Sequence, residues 1–464
     1  MKGIMRPWTA VSAVLLCGAA MAAHALENEG GIKLRLAGYA EGDPLLTGNP
    51  DNESREAYLD LKTVLHTRFS PNNATFIKLQ GFLPTGEVFV NEDETPQRSD
   101  GFFAVRELWW EYGGLTSYPG EVLRIGRQRL REYDGLWWDQ DIEALRWIFD
   151  TTLLDIHFGV AEQLFTARSD ESEVNRNQRD RGYVFGAVDG EFAPGHAFGI
   201  RSAYALDHVD LDEQQREEED PKTVKRRMGW AGLHVDNGFH TYKHDDPLKY
   251  WSEVRLQTGN ADYAVFDDLG NYLGTRRQDV EALSADAGLR IRLDAGLPLQ
   301  FGIAYAYGQG GGDAQTDTSF EQTGLHSNRS RFTGTRSLMH RFNEALQAEL
   351  SNLHVATVFS SLQLDAMDFS LVYHDFRRDD REQDIEADGI DIAPVNADSD
   401  IGQGLDLVLT RYFSGMPMVE TVDEDLRSNI RLRASGFRPG EAYRGNGREP
   451  EDQYRAMLEW TTWF

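Results

Sequence analysis

Apolar and polar residues alternate with period two through much of this chain. In residues 32–36 (IKLRL), Ile32, Leu34 and Leu36 fall on one face of an extended strand, with Lys33 and Arg35 on the other. In 59–63 (LDLKT), Leu59 and Leu61 oppose Asp60 and Lys62. Leu289, Ile291 and Leu293 oppose Arg290 and Arg292, and Ile430 and Leu432 oppose Arg431 and Arg433. The last eleven residues (YRAMLEWTTWF) alternate an apolar series, Tyr454, Ala456, Leu458, Trp460, Thr462 and Phe464, with a more polar one, and end on an aromatic. A strand with lipid on one face and water on the other must alternate in this way, with aromatics at the interface. The pattern predicts an all-β fold, a single antiparallel transmembrane β-barrel.

Strand candidates are 32–39, 58–69, 104–112, 121–128, 183–192, 199–207, 287–294, 300–307, 369–375, 405–413, 427–437 and 454–464. Short turn signals stand at 193–195, 237–238 and 294–298. Longer acidic stretches lie at 207–220, 308–322 and 377–400. Such unlike connections fit a barrel with short periplasmic turns and long acidic extracellular loops. The acidic runs read as solvated loops. A calcium site in 379–391 is the alternative, with no specific spacing behind it. No linker or composition break divides the chain, so one continuous architecture is expected.

The first 25 residues have a basic start (Lys2, Arg6), an apolar run from Ala10 to Ala23, and Ala23-His24-Ala25 before a polar stretch. This predicts a cleaved secretory signal at 1–25 and a barrel over 26–464. Cys17, the single cysteine, leaves with the signal, so neither a disulfide framework nor a cysteine metal site is expected. After the signal no apolar run approaches the twenty residues of a membrane-spanning helix. The formal charge of −29 argues against a nucleic-acid partner. A nucleophile elbow, a phosphate loop and a His-Glu-x-x-His motif are all missing, which points away from an enzyme.

The phase of the cations carries the functional reading. A cation on the lipid face at mid-membrane costs about 2–4 kcal/mol, so segments sharing one phase imply a lumen with positive stations. Such stations bind and pass an anion, and the planar guanidinium fork suits carboxylates. A polyuronate, with one carboxylate per sugar, steps from one Arg to the next, because weak and multiple sites conduct where one tight site traps.

The block at 104–147 (AVRELWWEYGGLTSYPGEVLRIGRQRLREYDGLWWDQDIEALRW) closely resembles the alginate export porin family of Gram-negative outer membranes. Further matches are 322–342 (QTGLHSNRSRFTGTRSLMHRF), 401–413 (IGQGLDLVLTRYF) and the closing strand. The resemblance implies a monomeric barrel of about 18 strands in the outer-membrane lipid, with no cofactor. Alginate leaves the periplasm through its arginine-rich constriction, handed over by periplasmic biosynthesis and secretion proteins. By local alignment the constriction includes Arg35, Lys62, Arg106, Arg129, Arg329 and Arg431, with Asp139 and Asp170 as acidic neighbours. Arg336 and Arg341 are nearby candidates. Arg106 rests on the resemblance alone, because its strand phase also contains Leu108 and Trp110. Asp141 stands where the family suggests Asn, Thr166 where it suggests an acid, and Leu338 where it suggests another Arg. The family's occluding periplasmic loop matches 414–425. A general anion-selective porin for small acidic solutes shares the phase signal, and an exported soluble polyuronate lyase or epimerase is the alternative from another class.

Overall fold

The computed structural model describes residues 27–86, 88–90, 97–99, 101–211, 222–241, 246–267, 269, 271–294, 296–413, 428–445, 447 and 449–464. The predicted signal at 1–25 and the occluding loop at 414–425 lie outside the described residues.

Eighteen strands form the wall: β1 Glu27–Glu41, β2 Ser54–Ser70, β3 Asn73–Pro84, β4 Phe102–Tyr112, β5 Glu121–Arg131, β6 Asp139–Asp150, β7 Leu154–Glu162, β8 Arg181–Ala193, β9 His196–Asp207, β10 Val224–Asp236, β11 Leu248–Phe266, β12 Tyr272–Asp294, β13 Pro298–Gly308, β14 Leu353–Leu364, β15 Met367–Arg378, β16 Asp400–Tyr412, β17 Asn429–Pro439 and β18 Gln453–Trp463. Each pairs antiparallel with its chain neighbour, and β18 pairs back onto β1. At the seam the Ile32 amide donates to the Phe464 carbonyl (3.1 Å) and the Phe464 amide to the Ile32 carbonyl (2.9 Å). Closure of this kind is what lipid demands, since hydrocarbon offers an open strand edge no hydrogen bonds. A short segment, Thr316–Asp317, pairs in parallel with β12 outside the ring.

The alternation sets which side meets lipid. Ile32, Leu36, Leu61, Leu289, Ile291, Leu293, Ile430 and Leu432 are exposed on the outer face. Arg35, Lys62 and Arg290 are buried on the inner face. The rim that holds both ends of the barrel joins β2 to β3, β6 to β7, β8 to β9, β12 to β13 and β14 to β15 through two or three residues each. The opposite rim carries the long connections, among them the one from Gly308 to Leu353.

Two segments depart from a plain cylinder. The first is the tip of the β5–β6 hairpin. β4 pairs with β5 only from Leu108 to Tyr112, and β6 pairs with β7 only from Glu143 onward. Above those points Gln128, Leu130, Trp137, Trp138 and Ile142 are buried inside the barrel. The upper half of β4 pairs instead with the β7–β8 connection, through the Ala104–Arg168 bridge and the Val105 amide on the Ala167 carbonyl (3.0 Å). Gly126 sits at the departure point with φ +122°, where an added Cβ would lie 2.3 Å from the Leu108 carbonyl. That conformation and that contact together require glycine.

The second is the connection after β13. Beyond the acidic stretch 308–322, its residues 322–351 fold into the lumen. Leu325, Phe332, Met339, Phe342, Ala345, Leu346 and Leu350 are at most 1% exposed, and the segment reaches the turn rim, where the Ser361 hydroxyl donates to the Thr333 carbonyl (2.5 Å). Met228, Trp230, Trp251, Val355, Phe359 and Val372 face it from the wall. The inner face of β10–β15 is therefore partly apolar, which weakens the period-two signal. β10, β11 and β14 are absent from the sequence-based candidates, as are β3, β6 and β7.

Replacing Gly126 with Val should force the hairpin off its path. We expect a loss of at least about 1–3 kcal/mol from the φ strain alone, read as a lowered urea midpoint of the refolded barrel. Removing Phe464 deletes both seam hydrogen bonds of that residue and should lower the heat-modifiable, assembled fraction in outer membranes.

Candidate functional site

The β5–β6 tip and the 322–351 segment enter the lumen and bind each other. The Asp139 amide donates to the Leu325 carbonyl (2.5 Å), and the Ser327 and Asn328 amides donate to the Gly135 carbonyl (3.0 and 2.9 Å). The Thr323 hydroxyl caps the Trp137 carbonyl. A narrowing built in this way borrows its rigidity from the barrel.

Arg35, Lys62 and Arg431 come together on the wall formed by β1, β2, β17 and β18. Arg35 binds Asp60 at 2.7 Å and faces Glu459 at 3.8 Å. Lys62 lies 3.9 Å from Asp60, and Arg431 binds Glu459 at 2.9 Å. Arg106 and Arg129 stand on the next arc. Arg106 meets Asp141 at 3.1 Å, and Arg129 clamps Asp139 from Nε (2.9 Å) and Nη2 (2.5 Å). Asp139 also accepts the Ser327 hydroxyl (2.8 Å), which leads into the infolded segment. There Arg329 binds Glu344 at 2.8 Å, and Arg433 of β17 binds the same carboxylate at 2.9 Å. Asp60, Glu344 and Glu459 each face two cations, so they space the guanidinium and ammonium groups apart as well as compensating them.

A β-bulge resolves the conflict over Arg106. Lys78 pairs with Glu107 but Leu79 pairs with Val105, so Arg106 is the extra residue. The bulge turns Arg106 inward, where it is 4% exposed, while Leu108 and Trp110 remain on the lipid face. Asp141, in place of the expected Asn, supplies its ion-pair partner.

Asp170 and Arg336 stand elsewhere. Asp170 lies exposed in the β7–β8 connection, paired with Arg168 (2.5 Å), whose guanidinium covers the Phe102 ring at 4.0 Å. Arg336 sits near the turn rim, held by Asp368 (2.7 Å), by the Asp365 and Leu364 carbonyls, and by the Tyr412 ring at 4.1 Å. It anchors the end of the infolded segment. Arg290 and Arg341 do similar work, Arg290 donating to the Phe332 carbonyl (2.7 Å) and Arg341 binding Asp286 (2.6 Å). Sequence reasoning missed Glu344, Asp368 and Glu459 as partners. Glu459 carried a signal, since it opposes Leu458 and Trp460 in phase; Glu344 lies outside any wall strand and carried none.

Toward the loop rim a cavity of about 290 Å³ is lined by Arg181, Arg226, Trp230, Glu349, Glu386 and Asp388. Burial, and then the neighbouring Glu349, pushes the Glu386 carboxyl well above its ordinary range, so it keeps its proton and hydrogen-bonds Glu349. The Glu349 amide also donates to the Glu386 carbonyl (2.9 Å), joining the infolded segment to the β15–β16 connection.

The comparisons with known proteins follow the same outline. The family model for alginate export matches residues 28–456. The chain belongs to the alginate export family. It is 38% identical to the alginate production protein AlgE of Pseudomonas aeruginosa, over 96% of this chain and 94% of that one. It is 31% identical to the protein of the same name from Azotobacter vinelandii, over 90% of each. In fold it is similar to Pseudomonas aeruginosa OccK8 (OprE), with a TM-score of 0.53, 10% identity and coverage of 94% and 98%. Acinetobacter baumannii OccAB1 gives a TM-score of 0.52 at 9% identity, covering 95% and 98%. As a member of the alginate export family with a porin-like barrel, the chain is an outer-membrane channel and not an enzyme.

Two outcomes test the site's construction. Replacing Asp60 with Asn leaves Arg35 and Lys62 buried without that carboxylate and should cost about 3–5 kcal/mol, measured as a shift in the unfolding midpoint. The Glu386 pKa is raised, so its contribution to loop docking is present at low pH and is lost as pH rises through that raised value. Hydrogen exchange in 378–400 should therefore speed up with rising pH beyond the intrinsic rate increase, and Glu386→Gln should flatten the excess.

Proposed function

We propose that this family member exports alginate from periplasm to exterior through a constriction whose polymer contacts come from Arg35, Lys62, Arg106, Arg129, Arg329 and Arg431. The observation that carries the proposal is their common placement on the lumen side of a closed barrel, with Arg35, Lys62, Arg329 and Arg431 on carboxylates that each serve two cations. A polyuronate carboxylate entering such a set exchanges one anionic partner for another at little desolvation cost, because the guanidinium groups are already held in place. Repeated exchange lets the polymer advance without a deep trap. Arg336 and Asp170 support this path from its margins, one by anchoring the infolded segment and the other by fixing Arg168.

The barrel acts as a monomer in this reading, receiving polymer from periplasmic secretion proteins, with 414–425 as the occluding element. The acidic groups near the loop rim favour release of a polyanion to the exterior.

Changing Arg35, Lys62 and Arg431 together to Glu should leave the protein able to reach the membrane but reduce polyuronate secretion. It should also turn the channel from anion- toward cation-selective in planar bilayers. Unchanged selectivity would refute the cationic constriction, and block by small acidic solutes but not by oligouronates would favour a general anion porin.

A further inference from the structure

On the outside of the barrel, where the loop rim meets lipid, β13, β14 and β15 leave a hollow of about 520 Å³. The strand register sets its height. Ile303, Val358, Tyr373 and Leu405 lie opposite one another across β13–β16 and make an exposed, apolar row of the lipid face. The next row toward the loops is Tyr305, Ala356, Asp375 and Gln403, and beyond it come Tyr307, His354 and Arg377. The apolar band therefore ends within one residue pair of the hollow, at the level where tyrosines replace aliphatics, as they do at a membrane–water interface. Ala356 is the smallest side chain of these two polar rows, and the hollow opens over it.

One side of the hollow is held rigid by its own hydrogen bonds. His354 donates from Nε2 to Asp379 (3.1 Å), which leaves Nδ1 to accept the Tyr305 hydroxyl (2.6 Å). Asp379 also accepts the Tyr307 hydroxyl (3.1 Å) and the Gly310 amide (3.0 Å), so its charge is taken up within the wall. The other side carries cations. Arg377 is engaged through Nε alone, on Asp375 (3.1 Å), and its side chain is 65% exposed. Arg381 also lines the hollow, exposed and with no hydrogen-bond or ion-pair partner among the described residues. Arg378 donates to the carbonyls of Asp398 (2.7 Å), Gln383 (3.1 Å) and Asn396, and takes up neither of the hollow's carboxylates. Three guanidinium groups thus line a space whose two carboxylates are already engaged.

We infer that this hollow seats a phosphate of an exterior-leaflet lipid, the phosphorylated acyl-saccharide that faces outward from an outer membrane. Arg377 and Arg381 supply planar forks of donors, which phosphate oxygens fit in more than one way. Tyr305 packs beside the headgroup with its hydroxyl held by His354, and the acyl chains continue down over Ile303, Val358 and Tyr373. Both halves are needed, because a free phosphate gains nothing from the apolar row and an uncharged lipid nothing from the guanidinium groups. The seat stands apart from the polymer path, on the opposite face of the wall. It also has a structural consequence, since Arg377, Arg378 and Arg381 lie at the root of the β15–β16 connection, which the Glu349 amide fastens to the infolded segment. A seated lipid holds that connection from outside as Glu349 holds it from inside.

The test is binding of a phosphorylated acyl-glucosamine disaccharide to the full-length barrel in uncharged detergent, read by native mass spectrometry. Arg377→Gln combined with Arg381→Gln should weaken binding at least about tenfold, the size expected for lost charge-assisted contacts. Ala356→Phe, which fills the hollow and leaves every charge in place, should weaken it to a similar degree. Arg277→Gln alters another exposed arginine of the loop rim, on β12, and should bind as the unaltered protein does. The same lipid without its phosphates should bind weakly and alike to all of these proteins. Undiminished binding in either the double variant or Ala356→Phe overturns the seat, as does an equal loss in Arg277→Gln. Displacement of the lipid by inorganic phosphate at equal concentration would make this a free-anion site, and displacement by oligouronate would make it a polymer contact; either result overturns the lipid assignment.

Discussion

Backbone closure governs everything else in this molecule. Lipid cannot hydrogen-bond a strand edge, so the eighteen strands stand only because β18 returns to β1 and the Ile32 and Phe464 backbones exchange hydrogen bonds at the seam. Closure fixes one face of every strand toward lipid and the other toward the lumen. Because the wall is rigid, side chains on the inner face can be held at fixed positions without a conventional core.

The lumen is not left hollow. A hairpin tip and the 322–351 segment enter it; the wall holds the tip through Arg201 and Glu253 and the segment through Asp286, Arg290 and, at the turn rim, Asp368. Burying these segments gives the barrel apolar clusters around Trp137, Trp138, Phe342 and Phe332 that a simple pore lacks. The cations near the narrowing are therefore presented from three elements that brace one another. Arg35, Lys62, Arg106 and Arg431 come from the wall, Arg129 from the hairpin that leaves it, and Arg329 from the infolded segment.

Ion pairing inside such a channel has a double role. A lone guanidinium facing a low-dielectric wall is costly, and a guanidinium with a private carboxylate has little to offer a passing anion. Sharing settles between these limits. Asp60, Glu344 and Glu459 keep pairs of cations apart and oriented, while leaving a carboxylate of the polymer something to bind. The same logic explains why Arg336, Arg290 and Arg341, equally basic and equally buried, serve as anchors: each is committed to a carbonyl or carboxylate that fastens the infolded segment.

Local period determined most of the architecture from the chain alone. Alternation in 32–36, 59–63, 430–433 and the closing strand told which residues face lipid, because in an extended strand neighbours point to opposite sides whatever lies around them. The blocks at 104–147 and 322–342 told the family. What period could not convey was any feature that depends on contacts between segments far apart in sequence. The bulge that turns Arg106 inward arises from a register shift against β3. The 322–351 segment reads as a loop because it has neither period, and its inward path is decided by partners on β12, β15 and β17. Glu344 becomes the shared partner of Arg329 and Arg433 only when that segment is folded in. Side-chain direction is a local property of the strand, whereas ion pairs and register are properties of the closed barrel, and those the tertiary structure alone decided.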